Sequence, residues 1–179
     1  MARHVVLLRG INLGSRNRVA MPALRAALEE AGFDDVQTYV QSGNIVLAGK
    51  ASAKEVGRTV ERLIADEFGL DVAGVVRTRS ALARVVERNP LADVASDPKR
   101  YQVSFLDGKP TAAVLRKLEE AAAPEERFVH AGSEIYAWHP DGVARSKLWT
   151  LLAGSSLGVT ATARNWTTVT KLLELATRT

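Results

Sequence analysis

Cysteine is absent from the 179 residues, which excludes disulfides, thiol nucleophiles and thiolate metal sites and suits a reducing compartment. Proline is scarce at 6, and with 46% hydrophobic and 25% charged residues the composition excludes collagen-like, fibrous and disordered chains. Long apolar runs are missing as well. The stretch Val5 to Leu8 is only four residues long before Arg9 ends it, too short for a signal peptide or a membrane span. A soluble cytoplasmic protein without membrane association is expected. His4, His130 and His139 stand at no metal-ligand spacing and no cysteine can complete a set, so neither metal nor cofactor is expected.

What is present is a basic chain with uneven charge. The net charge is +4, and the two sides of residue 90 are alike, with 13 basic and 10 acidic residues before it and 11 and 10 after. That excludes a global polycation. Locally, residues 1 to 28 hold Arg3, Arg9, Arg16, Arg18 and Arg25 and no acid, and residues 142 to 179 hold Arg145, Lys147, Arg164, Lys171 and Arg178 against Glu174 alone. Such ends form an anion-attracting face if the fold joins them and a solvated surface if it does not.

Periodicity divides the chain into two similar series. In the first, Val5 to Leu8 reads as a buried strand, Pro22 opens a helix carrying Leu24 and Leu28, and Val36 to Gln41 with Asn44 to Ala48 form a hairpin about Ser42-Gly43. Ser52 and Glu55 make a capping box before Val56, Val60, Leu63, Ile64 and Phe68 at helical spacing. Val72 to Arg77 is a further strand, and Ser80 caps a helix ending near Asn89-Pro90. After the turn-rich segment 89 to 98 the order repeats. Tyr101 to Leu106 is a strand, 111 to 122 a helix, 127 to 130 and 134 to 139 a hairpin, Ser146 to Leu152 a helix, 159 to 161 a short strand, and Asn165 to Thr177 the last helix.

This order predicts an α+β fold of two tandem ferredoxin-like halves, the split βαβ or α/β-plait arrangement, each with an extra C-terminal helix. The expected domains are residues 1–92 and 93–179. Both alternating sets of the first strand, Val5 with Leu7 and Val6 with Leu8, are apolar, so both faces of that sheet should be covered.

Four stretches carry a family resemblance: LLRGINLGSRNRVAM at 7–21, TYVQSGNIV at 38–46, RSKL at 145–148 and TARNWTTVTKLLEL at 162–175. Together they resemble the bacterial domain-of-unknown-function family 1697, across the whole chain. The resemblance implies a duplicated ferredoxin-like fold and no established activity. One position departs from the pattern, since Ser15 stands where the family often has a second glycine, which costs backbone freedom in that loop.

Chemistry points to the loop Arg9 to Ala20, where a strand enters a helix through Gly10, Asn12, Gly14 and Asn17. Loops of this kind present backbone amides to phosphate, although neither the dinucleotide nor the nucleotide-triphosphate motif is present. The same glycines and asparagines also serve simple turn formation. In the hairpin, Gln41 and Asn44 carry hydrogen-bonding edges that can read a ligand. Ser42 lacks the strand-to-helix elbow and nearby base of a nucleophile. Arg145 and Lys147 begin one helix, and Arg164 precedes the last, which Asn165 caps. The candidate ligand-binding set is therefore Arg9, Asn12, Arg18, Gln41, Asn44, Arg145, Lys147 and Arg164, for an anionic, phosphate-bearing small molecule of nucleotide type. No catalytic residue is defined. The alternative is a non-catalytic RNA-binding or protein-interaction module, with Tyr101, Phe105, Tyr136 and Trp138 at the two-residue spacing of one sheet face.

Overall fold

A computed structural model describes residues 1–178. The elements run β1 (Ala2–Leu8), α1 (Met21–Glu30), β2 (Asp34–Tyr39), β3 (Asn44–Gly49), α2 (Ala53–Phe68), β4 (Gly74–Thr78), α3 (Arg79–Arg88), β5 (Tyr101–Leu106), α4 (Ala112–Ala121), β6 (Arg127–Ala131), β7 (Glu134–Trp138), α5 (Lys147–Ala153), β8 (Ala161–Asn165) and α6 (Trp166–Thr177). They build a mixed α+β fold with two four-stranded antiparallel sheets, ordered β2-β3-β1-β4 and β6-β7-β5-β8. Residues 1–84 with the chain from Lys171 form one compact unit, and residues 85–170 form the other.

In the first unit β1 is central, pairing Val6 with Ile45 on one side and Val76 on the other. Val6, Leu8, Ile45 and Leu47 pack with Leu24 and Leu28 of α1 and Val56, Val60 and Ile64 of α2. Each such aliphatic side chain, fully withdrawn from water, contributes about 1.5–3 kcal/mol. The alternate set, Val5, Leu7 and Val46, is buried too, so both sheet faces are covered, as the doubly apolar β1 requires. Helix α2 begins at the expected box: Glu55 N–H donates to Ser52 Oγ at 3.3 Å and Ser52 N–H to Glu55 Oε2 at 2.9 Å.

In the second unit Leu106, Ile135, Ala137 and Ala161 meet Leu118 of α4 and Leu148 and Leu152 of α5. The other face of this sheet carries Tyr101, Val103, Phe105, Tyr136 and Trp138, all buried. Tyr136 donates its hydroxyl to Val85 O at 2.8 Å, and Tyr101 stacks on Trp166 with ring centroids 4.8 Å apart. Burial pushes both phenols up to about 12. These four aromatic rings are core, closed to a stacking base.

Two local expectations shift. The cap of α3 is Thr78, whose Oγ1 accepts from Ala81 N–H at 3.1 Å, while Ser80 lies inside the helix. The last strand covers Ala161–Asn165 rather than 159 to 161, because its alternation of small Ala161 and Ala163 with Thr162 and Arg164 suits a pleated pairing with β5.

Candidate functional site

In the first unit the loop from Arg9 to Ala20 and the β2–β3 turn are built as one structure. Gly43 makes this possible. It has φ +80°, its carbonyl accepts from Leu8 N–H at 2.9 Å, and a Cβ there would lie 2.7 Å from Leu8 Cβ and 2.9 Å from Ile11 Cδ1, so only glycine fits. Asn12 then joins loop to turn. Its Nδ2 donates to Val19 O at 3.1 Å and to Gln41 O at 2.7 Å, while its Oδ1 accepts from Val19 N–H at 2.9 Å. Asn17 closes the loop base through Nδ2 to Gly10 O at 2.9 Å. Both asparagines are in the left-handed region, at φ 52° and 49°, which their short amides tolerate.

Asn12, Arg18 and Gln41 line one cavity of about 610 Å³ together with Val19, Ala20 and Phe68. Arg18 gives one N–H to Gly14 O at 2.9 Å, which turns the guanidinium back over its own loop. Arg9 follows β1, its backbone N–H bonded to Ala73 O at 2.8 Å, and is not among the cavity-lining residues. Asn44 is fully buried and donates to Tyr39 O at 3.1 Å and Ser42 Oγ at 3.3 Å, a duty within the hairpin. Among the described residues no carboxylate pairs with Arg9, Arg16 or Arg18. The rim thus combines a cation and two carboxamide residues over an apolar floor. Leu13 and Val40 stand out from the same loops, 60% and 53% exposed. Val40 has φ 52°, a conformation that β-branched residues rarely adopt.

The three remaining candidates lie in the second unit. Arg145 and Lys147 flank Ser146, the N-cap of α5, and line a cavity of about 760 Å³. Arg164 is elsewhere in that unit. It sits on β8 opposite Val103, 9% exposed, with Nη1 donating to Thr162 Oγ1 at 2.7 Å and Ala163 O at 2.8 Å. Burial lowers its pKa to about 10, so it remains a cation at neutral pH. Its structural duty lies in the strand rather than at the start of a helix, where Asn165 Oδ1 accepts from Thr168 N–H at 2.9 Å.

One cluster in this unit has no signal in residue spacing. Glu126 Oε2 accepts from Ser146 Oγ at 2.6 Å and contacts His139 Nδ1, while Glu126 Oε1 accepts from Ala123 N–H at 3.0 Å. His139 is fully buried and packs edge-to-face with Trp149, the ring centroids 5.8 Å apart. Burial pushes the Glu126 carboxyl up, but the hydrogen bonds from Ser146, the Ala123 amide and His139 outweigh it and hold the group below the ordinary carboxylate range. This is not a nucleophile–base–acid relay, because serine and carboxylate both approach the same imidazole nitrogen. The register of β6 and β7 carried the clue: Arg127 pairs with Trp138, so one step further Glu126 comes beside His139.

Among the described residues no group of three His, Asp or Glu side chains is placed to hold a metal ion. No described helix is long and apolar enough to cross a membrane.

The sequence model of a family described as "Protein of unknown function (DUF1697)" matches residues 1–136. A solved structure, the conserved bacterial protein SP0830 from Streptococcus pneumoniae, is similar with a TM-score of 0.80 at 23% identity, covering 98% of each chain. At that identity the likeness carries the fold alone. No curated protein matches the chain.

Proposed function

The chain belongs to the DUF1697 family, a premise that names no chemistry, and we propose from its own side chains that the first unit binds a small anionic molecule with an apolar body, such as a nucleotide. The observation that carries this reading is the meeting of Asn12, Arg18 and Gln41 at one cavity floored by Val19 and Phe68. Arg18 supplies a planar cation for a phosphate or carboxylate, the Gln41 carboxamide lies beside it, Asn12 holds the Gln41 backbone in place, and the apolar floor takes a flat ring. Arg18 has no carboxylate partner among the described residues, so its charge is open to a bound anion. Arg9, one residue outside the loop base, adds to the same positive field. We also read each unit as ferredoxin-like and the pair as an internal duplication, a reading supported by the strand order 2-3-1-4 recurring as 6-7-5-8.

The test is a melting-temperature and calorimetric screen of nucleotides and phosphorylated metabolites, with Arg18→Ala and Gln41→Ala compared with the parent chain. A binder should raise the melting temperature of the parent and lose about tenfold in affinity with Arg18→Ala, at nearly unchanged intrinsic stability. RNA binding draws no support from the buried aromatics. It would reveal itself as a steep fall in affinity with salt, which a pocket for one small anion would not give.

A further inference from the structure

The cavity of the second unit has a different chemistry. It is walled by the end of α4, with the alanine run 121–123, and by the segment from Asp141 to Lys147. Small side chains leave its volume of about 760 Å³ unfilled, within the size range of small-molecule sites. Two cations, Arg145 and Lys147, and two carboxylates, Glu120 and Asp141, line it. None of the four takes part in a side-chain hydrogen bond or an ion pair among the described residues. Opposite charges around one hollow, left unpaired, match a guest that carries both signs.

The fifth charge is already committed. Glu126 is held by the Ala123 amide, Ser146 and His139, so its carboxylate belongs to the wall. Ser146, bonded at Oγ to Glu126, lies between Arg145 and Lys147 and pins that stretch of backbone to the buried floor. The two cations are therefore mounted on a fixed support rather than a free loop, which is what recognition of a small molecule requires.

We propose that this cavity binds a small zwitterion, a molecule with an ammonium group a few atoms from a carboxylate or phosphate. The anionic end meets Arg145 and Lys147 and the ammonium meets Glu120 and Asp141. Polyanions such as nucleoside triphosphates are disfavoured, because the two carboxylates would face them unpaired.

The experiment is an amide-resonance titration of the full chain with the proteinogenic amino acids and phosphoethanolamine, using inorganic phosphate and ethanolamine as controls that each carry one sign of charge. At least one zwitterion should give saturable shifts at residues 120–123 and 141–147, with neither control doing so at equal concentration. Arg145→Ala and Asp141→Asn, both at exposed positions, should each weaken that binding about tenfold. Arg18→Ala should leave it unchanged, which separates this site from the cavity of the first unit. The proposal is overturned if no zwitterion shifts these resonances, if phosphate alone binds as tightly, or if Asp141→Asn has no effect.

Discussion

Asn12 shows how one residue can hold two separate segments together. Its amide makes three hydrogen bonds that tie the loop to the hairpin turn, and its φ of 52° would strain an alanine. Asn12→Ala should therefore cost roughly 4 kcal/mol, about one for each of the three side-chain bonds and about one more from the backbone, read from the shift in denaturant midpoint. Val40 offers the opposite case. It is 53% exposed, so little packing offsets its left-handed backbone, and Val40→Asn should raise stability by about 1 kcal/mol. The asparagines, glycines and arginines of this loop were legible in the sequence because turn chemistry is written in residue type. Asn44 was legible only as a polar hairpin residue. That its amide would turn inward to Tyr39 depended on the local path of the turn, which residue type does not specify.

Among elements, the β6–β7 hairpin and α5 depend on one carboxylate. Folding holds Glu126 ionised more firmly than the unfolded chain does, from an ordinary value of 4.5. Its contribution to stability is therefore complete above that value and is lost as the pH falls through the lower folded value. In Glu126→Gln the stability-against-pH profile should lose this acid-side decline, and stability at neutral pH should fall because the His139 and Ser146 contacts lose a charged acceptor. Equilibrium unfolding across pH 3–7 checks both effects. Helix α2 was readable at both ends from Ser52, Glu55 and Gly69, since a capping box and a left-handed glycine are local signals. Strand β8 was readable as a short strand, but its bounds were not. Its few residues alternate alanine with threonine and arginine, a pattern without hydrophobic contrast, and only pairing with β5 fixes its range. Arg164 does precede the capped last helix, as its position beside Asn165 implied, but its place on β8 depended on that same pairing.

For the whole molecule, the repeated order of elements along the chain and the doubly apolar β1 made an α+β architecture of two four-stranded sheets accessible from periodicity. Grouping the candidate residues was less accessible, because a cavity is made by side chains that converge from distant parts of the chain. Asn12 and Gln41 are far apart in sequence and meet through the hairpin, while Glu126 and His139 meet through strand register and Ser146 joins them from the cap of α5. The loop and turn that shape the first cavity meet at Gly43, and Gly43→Ala should cost about 3 kcal/mol by collision with Leu8 and Ile11 and strain at φ +80°, measured by chemical denaturation. The most direct measurement is calorimetric titration of the parent chain and Arg18→Ala with the nucleotide that most raises the melting temperature. The account predicts saturable binding that weakens about tenfold in the variant and changes little between low and moderate salt. Equal affinity in the two chains, or no binding by any nucleotide or phosphorylated metabolite, would contradict it.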